Sequence, residues 1–264
     1  MSATKMASFR NCPLAFRFTA VEKLPEPPTL ATLRGTIVHR ALEFLYSRTP
    51  QQRDGEAARE ATRAALEEGE ADMALLDLSA SEQDRLRRDV GFLVGRCFEI
   101  EDPHSVSVVG TEIRLETTIA NVRFRGVIDR LDRNASGDLV VTDYKTGRSP
   151  SPNHEQASLT GVQIYSLMCE ERFGSRPALL QLYFLKEPMV LSAYPTDQRI
   201  AGLERKVRAA WTAISRACEK EDFRPRPSAL CSYCTWKEFC PAFGGNPDAA
   251  SDSVGAPRLA LHGS

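Results

Sequence analysis

The 264-residue sequence carries almost no net charge, -1 with histidine neutral. Overall charge therefore points to no polyanionic or membrane partner, and any such partner must be met by local patches. No stretch approaches eighteen consecutive apolar residues, which excludes a transmembrane helix. The N-terminal stretch MSATKMASFRNCPLAF lacks the apolar core and cleavage pattern of a secretion signal, so a cytoplasmic location is expected. No internal repeat is visible. Histidine is scarce, at four residues. Apolar residues at 42% and charged residues at 26% are ordinary for a soluble globular protein with a sizeable core.

Cysteine is not scarce. Seven occur, and in a reducing compartment clustered cysteines serve as metal ligands or catalytic groups rather than disulfides. Three of them, Cys231, Cys234 and Cys240, fall within LCSYCTWKEFCP, one thiol short of a four-ligand site.

Residues 30–46 recur at helical spacing through Ile37, Ala41, Phe44 and Leu45. Residues 54–101 are charged and alanine-rich and read as two or three exposed helices, a helical insertion over about 50–104. From Val106 the pattern alternates like strands through VSVVGTEIRLETTIANVRFRGVIDRLDR and DLVVTDYKTG. Residues 155–173 read as one helix, ALLQLYFLK and MVLSAYP as two further strands. Thr196 caps a helix over 197–221 with Ile200, Leu203, Val207, Ala210, Trp211 and Ile214 on its apolar face. Residues 244–264 are rich in Gly, Pro, Ser and Ala and read as a disordered tail.

The central hairpin carries the most chemistry. A three-residue loop Ala135-Ser136-Gly137, with glycine in the left-handed position, is a standard hairpin connection. If Asn134 then pairs with Asp138, Asp129 falls opposite Asp143, with Cβ atoms roughly 5 Å apart. Facing like charges destabilise a ladder, and a hard divalent cation between them reverses the sign. Lys145, two residues on, shares the strand face of Asp143 about 7 Å along. Two carboxylates and a lysine can hold a metal that orients water and can steady charge on a phosphate. A surface hairpin with Asp143 and Lys145 as solvated neighbours fits the same spacing.

GVIDRLD (126–132) followed by DYKTG (143–147) resembles the nuclease domain of RecB-type exonucleases, in the PD-(D/E)xK or restriction-endonuclease-like superfamily. GTIVHRALE (35–43) is similar to that family's G-x-x-x-H-x-x-L-E helix. The resemblance implies an α/β fold, a mixed central sheet flanked by helices, as one nuclease domain over 1–243. It implies Mg²⁺ or Mn²⁺ held by Asp129, Asp143, His39 and the Tyr144 backbone carbonyl, with Lys145 assisting the attacking water. Glu112 occupies a position often acidic in the family. Without the family, His39 among apolar residues reads as a hydrogen-bonded core histidine. Glu43, one turn on, could orient its imidazole or pair with Arg40. The family's Q-x-x-x-Y helix is matched only loosely. Gln163 and Tyr165 stand two apart, so they face different ways on a helix. Tyr165 is a candidate for phosphate or base contact, or packs against the sheet.

Cys97, Cys169 and Cys218 sit among apolar residues in helical patterns and read as core packing. Cys12 and Cys240 each precede proline, as iron–sulfur ligands often do. The chain resembles AddB-like nucleases, in which one cysteine precedes the nuclease core and a C-x2-C-x5-C-P group follows it. That implies a 4Fe-4S cluster on Cys12, Cys231, Cys234 and Cys240, clasping segments 8–18 and 228–243. A tetrahedral zinc site is the alternative.

Arg123, Arg125, Arg130, Arg133 and Arg148 flank the hairpin site. Arg224, Arg226 and Lys237 lie beside Phe223, Tyr233, Trp236 and Phe239 near the cysteines. Basic residues interleaved with aromatics suit single-stranded DNA. The expectation is a metal-dependent DNA nuclease, an exonuclease on single-stranded ends in repair or recombination. With no G-x-x-x-x-G-K-[ST] phosphate loop, unwinding falls to a helicase partner. The rival readings are a non-catalytic iron–sulfur DNA-binding subunit of a repair complex and a zinc-stapled interaction protein.

Overall fold

A computed structural model describes residues 1–253. In chain order the elements are α1 (Ala3–Asn11), α2 (Pro13–Phe16), α3 (Leu30–Tyr46), α4 (Gly55–Glu68), α5 (Glu70–Leu75), α6 (Ala80–Ile100), β1 (Ser107–Ile119), β2 (Val122–Arg133), β3 (Leu139–Lys145), α7 (Glu155–Val162), α8 (Ile164–Phe173), β4 (Leu179–Phe184), β5 (Met189–Ala193), α9 (Asp197–Lys220) and α10 (Ala249–Ser253). No helix among the described residues is long and apolar enough to cross a membrane.

The chain divides into two compact units. Pro28–Arg205 forms one, and Met1–Pro27 with the chain from Lys206 on forms the other. The second unit has its own small core, Leu14, Phe18, Trp236 and Ala250. The rings of Phe18 and Trp236 lie 5.2 Å apart. Residues around Cys12 are helical, contrary to the few helix signals there. Ser2 caps α1 through Lys5 N–H, and Pro13 opens α2. Cys12 stays extended between them, as a residue before proline must. Of the tail expected over 244–264, residues 244–253 turn at Gly244 and end in α10, with Ala250 buried. The rest lies outside the described residues.

The larger unit is built on a five-stranded sheet in the order β1-β2-β3-β4-β5. β3 and β4 are parallel and the other pairs antiparallel. A parallel pair needs a crossover, and α7 and α8 supply it. Sequence reads 155–173 as one helix, but the chain breaks at buried Gln163. Gly161, a weak helix former, stands just before the break. A capping box of Thr29 and Thr32 starts α3, whose buried face is Leu33, Ile37, Val38, Ala41, Leu42, Leu45 and Tyr46. Against it pack the alanines of α4 and Leu86, Val90, Leu93, Val94 and Cys97 of α6. Three helices thus occupy the insertion, each with a buried face rather than the fully exposed one expected. On α9, Ile200, Leu203, Val207 and Ile214 are buried, but Trp211 is exposed.

The hairpin follows its loop chemistry. Asn134 N–H donates to Asp138 O, Gly137 N–H to Asn134 O, and Gly137 has φ +85°. β2 and β3 pair from Arg133↔Leu139 to Arg130↔Thr142. One further step of that register brings Asp129 opposite Asp143, at the point where the two strands part.

Candidate active site

At that parting, the next ladder bond is replaced by a side chain. Tyr144 N–H donates to Asp129 Oδ2 at 2.8 Å. The same Oδ2 lies 3.4 Å from His39 Nδ1, delivered by α3. Glu112 on β1 completes the group. One ligand atom from each of His39, Glu112 and Asp129 lies within 4.8 Å of the others. Glu112 sits at φ +49°, just after a register shift at Val108/Gly110. A non-glycine residue in the left-handed region of a strand is strained, and such strain clusters at functional sites. Asp143 stands outside that trio. Its Oδ2 is 2.5 Å from Lys145 Nζ, an ion pair at the edge of the group.

The electrostatics favour a cation. Burial pushes the Asp143 carboxyl above the usual carboxylate range. The Lys145 ammonium opposes the shift and the Asp129 charge adds to it. Burial also raises Glu112, again with Asp129 contributing and His39 opposing. For His39, burial works against the charged form, but the Asp129 bond and charge outweigh it and raise the imidazole. Carboxylates that repel one another beside an imidazole are a donor set that suits a hard divalent cation. His39, Glu112 and Asp129 fit such an ion, with Asp143 beside them.

Several expected contacts fall elsewhere. Glu43 pairs with Arg40 at 2.6 Å rather than with His39. Tyr165 donates to the Val127 carbonyl at 2.6 Å. Burial first, then the charges of Asp143, Asp129 and Glu112, raise its phenol, so it borders the site with its hydroxyl committed to the backbone. No hydrogen bond joins the Gln163 side chain to Asp129, Asp143 or Lys145 among the described residues. Arg130 is 1% exposed and unavailable to a phosphate, because Glu101 and Asp132 hold it in the interior. Arg123 and Arg125 both pair with Glu116. The sequence signal that could have promoted Glu112 is Gly110, which in a strand marks a bulge able to re-aim a neighbour.

Cys12, Cys231, Cys234 and Cys240 line one pocket with Leu14, Phe18 and Trp236, and all are free thiols. Burial raises the Cys234 thiol, and the neighbouring Cys12, Cys231 and Cys240 add to the shift while the Trp236 amide opposes it. Gly245 closes the loop behind Cys240, and a Cβ there would meet the Glu238 carbonyl at 2.0 Å. Cys97 and Cys169 are buried as expected of packing residues, but Cys218 is exposed.

A family model described as the PD-(D/E)XK nuclease superfamily matches residues 1–241. The chain belongs to that superfamily. Its members generally use divalent metal ions, and nucleic acid is their substrate class. Among relatives, the Gene 69 protein of Mycobacterium phage L5 is 25% identical over 150 residues, 56% of this chain and 48% of that protein. The chain thus spans about half the length of this curated relative. A crystal structure of an exonuclease candidate from Eubacterium rectale matches with a TM-score of 0.59 at 12% identity, over 89% of this chain and 86% of that one. That likeness is one of fold.

Asp132 offers a test of the interior behind the site. Burial pushes its carboxyl up to about 6, against the pull of Arg130, while an unfolded aspartate titrates near 3.9. The folded state therefore holds this proton more tightly. Its contribution to stability is full below the unfolded value and is lost as pH rises through the folded one. Asp132→Asn removes the titration. The stability of wild type relative to this variant should fall by up to about 3 kcal/mol between pH 4 and pH 7, read from urea unfolding at each pH. A difference independent of pH would contradict the buried, proton-binding role.

Proposed function

We propose that this superfamily member is a RecB-type, Mg²⁺- or Mn²⁺-dependent DNA exonuclease that works in the cytoplasm on single-stranded ends during repair or recombination, with a helicase as partner. The observation that carries the reading is the convergence of His39, Glu112 and Asp129 beside the Asp143–Lys145 pair. A bound divalent ion supplies an activated water and neutralises charge on the scissile phosphate. Asp129, Glu112 and His39 would hold that ion, with the Asp143 carboxylate as a further charged ligand. The Tyr144 N–H fixes Asp129, and the Tyr144 carbonyl would be a further ligand. Lys145, 44% exposed at its side chain, reaches solvent and steadies the attacking water and the charge that develops on phosphate. A binding subunit without chemistry has no need for this set, which disfavours the non-catalytic reading.

The second part of the proposal is a 4Fe-4S cluster on Cys12, Cys231, Cys234 and Cys240, of the AddB-like kind. Four free thiols lining one pocket support a shared ligand site.

Linear single-stranded DNA labelled at either end, and a circular single strand, test the function. Wild type with Mn²⁺ should degrade the linear strands and spare the circle. Lys145→Ala should bind DNA as wild type does but cleave it about a hundredfold more slowly. Cleavage of the circle would make the activity endonucleolytic. Equal loss of binding and turnover in Lys145→Ala would make the lysine a phosphate clamp.

A further inference from the structure

We propose that Arg130 is a positioning residue for the active site, acting through Tyr144. The inference rests on the metal-site reading above. All five N–H donors of the Arg130 guanidinium are used. Nη1 and Nη2 reach the two oxygens of Glu101 at 2.5 and 2.9 Å. Nε reaches Asp132 at 3.0 Å, Nη2 also reaches Thr142 at 3.5 Å, and Nη1 reaches the Tyr144 hydroxyl at 2.8 Å. Glu101, the cap residue at the end of α6, also accepts from the hydroxyls of Tyr46 and Tyr183. The guanidinium carbon stands 4.1 Å over the Tyr46 ring. This interior assembly cannot rotate without breaking several charged hydrogen bonds in a dry core.

Tyr144 carries that rigidity to the site. Its ring lies edge-on to Tyr183 at 6.1 Å and to His39 at 6.0 Å. Its hydroxyl is held by Arg130, and its backbone N–H holds Asp129 Oδ2. The β2–β3 ladder ends at Arg130↔Thr142, so Tyr144 N–H, together with His39, sets Asp129 where regular pairing has stopped. One peptide thus links a fully engaged buried arginine to a carboxylate of the site. Partners that orient metal ligands typically affect metal affinity by about 10- to 100-fold.

The test is Mn²⁺ binding by the full chain without DNA, followed through the electron paramagnetic resonance signal of free Mn²⁺. Tyr144→Phe keeps the ring and removes only the hydroxyl. It should weaken Mn²⁺ binding about tenfold or more, while the metal-free protein still folds, with a melting temperature lower by about 2–12 °C. Arg130→Lys, which keeps the charge but not the five-donor fork, should weaken binding similarly, and the double variant should be no worse than either single change. Should Arg130→Lys fail to fold, Tyr144→Phe decides alone. Wild-type Mn²⁺ affinity in Tyr144→Phe, or losses that add in the double variant, would overturn the proposal and leave the metal site standing. Asp129→Asn binding Mn²⁺ as wild type does would instead remove the metal-site reading, and this inference with it.

Discussion

Asp143→Asn is expected to abolish Mg²⁺- and Mn²⁺-dependent cleavage, a loss of at least about a hundredfold, while the metal-free protein melts at the same temperature or higher. The two effects have one origin. Asp143 is buried, and burial together with the Asp129 charge pushes its carboxyl up even though the Lys145 ammonium, 2.5 Å away, opposes the shift. Without a cation the ionised carboxylate is therefore a cost to the fold. The amide removes that cost and the repulsion, and leaves Lys145, half-exposed, to be solvated. It also removes the charged oxygen a hard ion prefers. Thermal unfolding in EDTA and cleavage in Mn²⁺ measure the two halves. Activity retained in Mn²⁺, or a large drop in metal-free melting temperature, would show that Asp143 is an ordinary structural residue.

Cys12→Ser and Cys234→Ser are expected to behave alike although the two positions lie far apart in sequence. If both ligate one cluster, either change bleaches the visible absorbance of anaerobically purified protein and lowers its iron content. A link closing a loop of about 220 residues contributes on the order of 5 kcal/mol by the chain-entropy argument. Either loss should therefore open both chain ends to protease. The small core of Leu14, Phe18, Trp236 and Ala250 offers little to replace such a link. Cys97→Ser, Cys169→Ser and Cys218→Ser should keep the colour, the first two because they are buried away from the pocket and the third because it is exposed. A Cys12→Ser protein with full iron and colour would place the fourth ligand elsewhere. A colourless wild type containing zinc would replace the cluster altogether.

The hairpin was legible because its signals are local. Strand alternation, the Ala135-Ser136-Gly137 loop and a pairing register fix where Asp129 and Asp143 meet, and all three are written within about twenty residues of each other in the pattern itself. Glu112 was legible only faintly, because what turns it toward Asp129 is a left-handed backbone angle that no residue preference announces. Arg130, grouped by sequence with the arginines that flank the hairpin site, lies in the interior. Its neighbours in sequence are charged, and the partner that neutralises it in the interior, Glu101, sits 29 positions away at the end of α6. The break at Gln163 and the exposure of Trp211 and Cys218 have the same origin. Helical periodicity tells which face could be buried, but only the packed structure tells where a face stops being covered.

The central claim is that the residues gathered around Asp129 make this chain a metal-dependent nuclease. Degradation of end-labelled single-stranded DNA by wild type and by Asp129→Asn, each with Mn²⁺ and with EDTA, tests it most directly. The account predicts cleavage by wild type in Mn²⁺ alone, with none in EDTA and none by the variant under either condition. Cleavage that survives EDTA or the loss of Asp129 would contradict it.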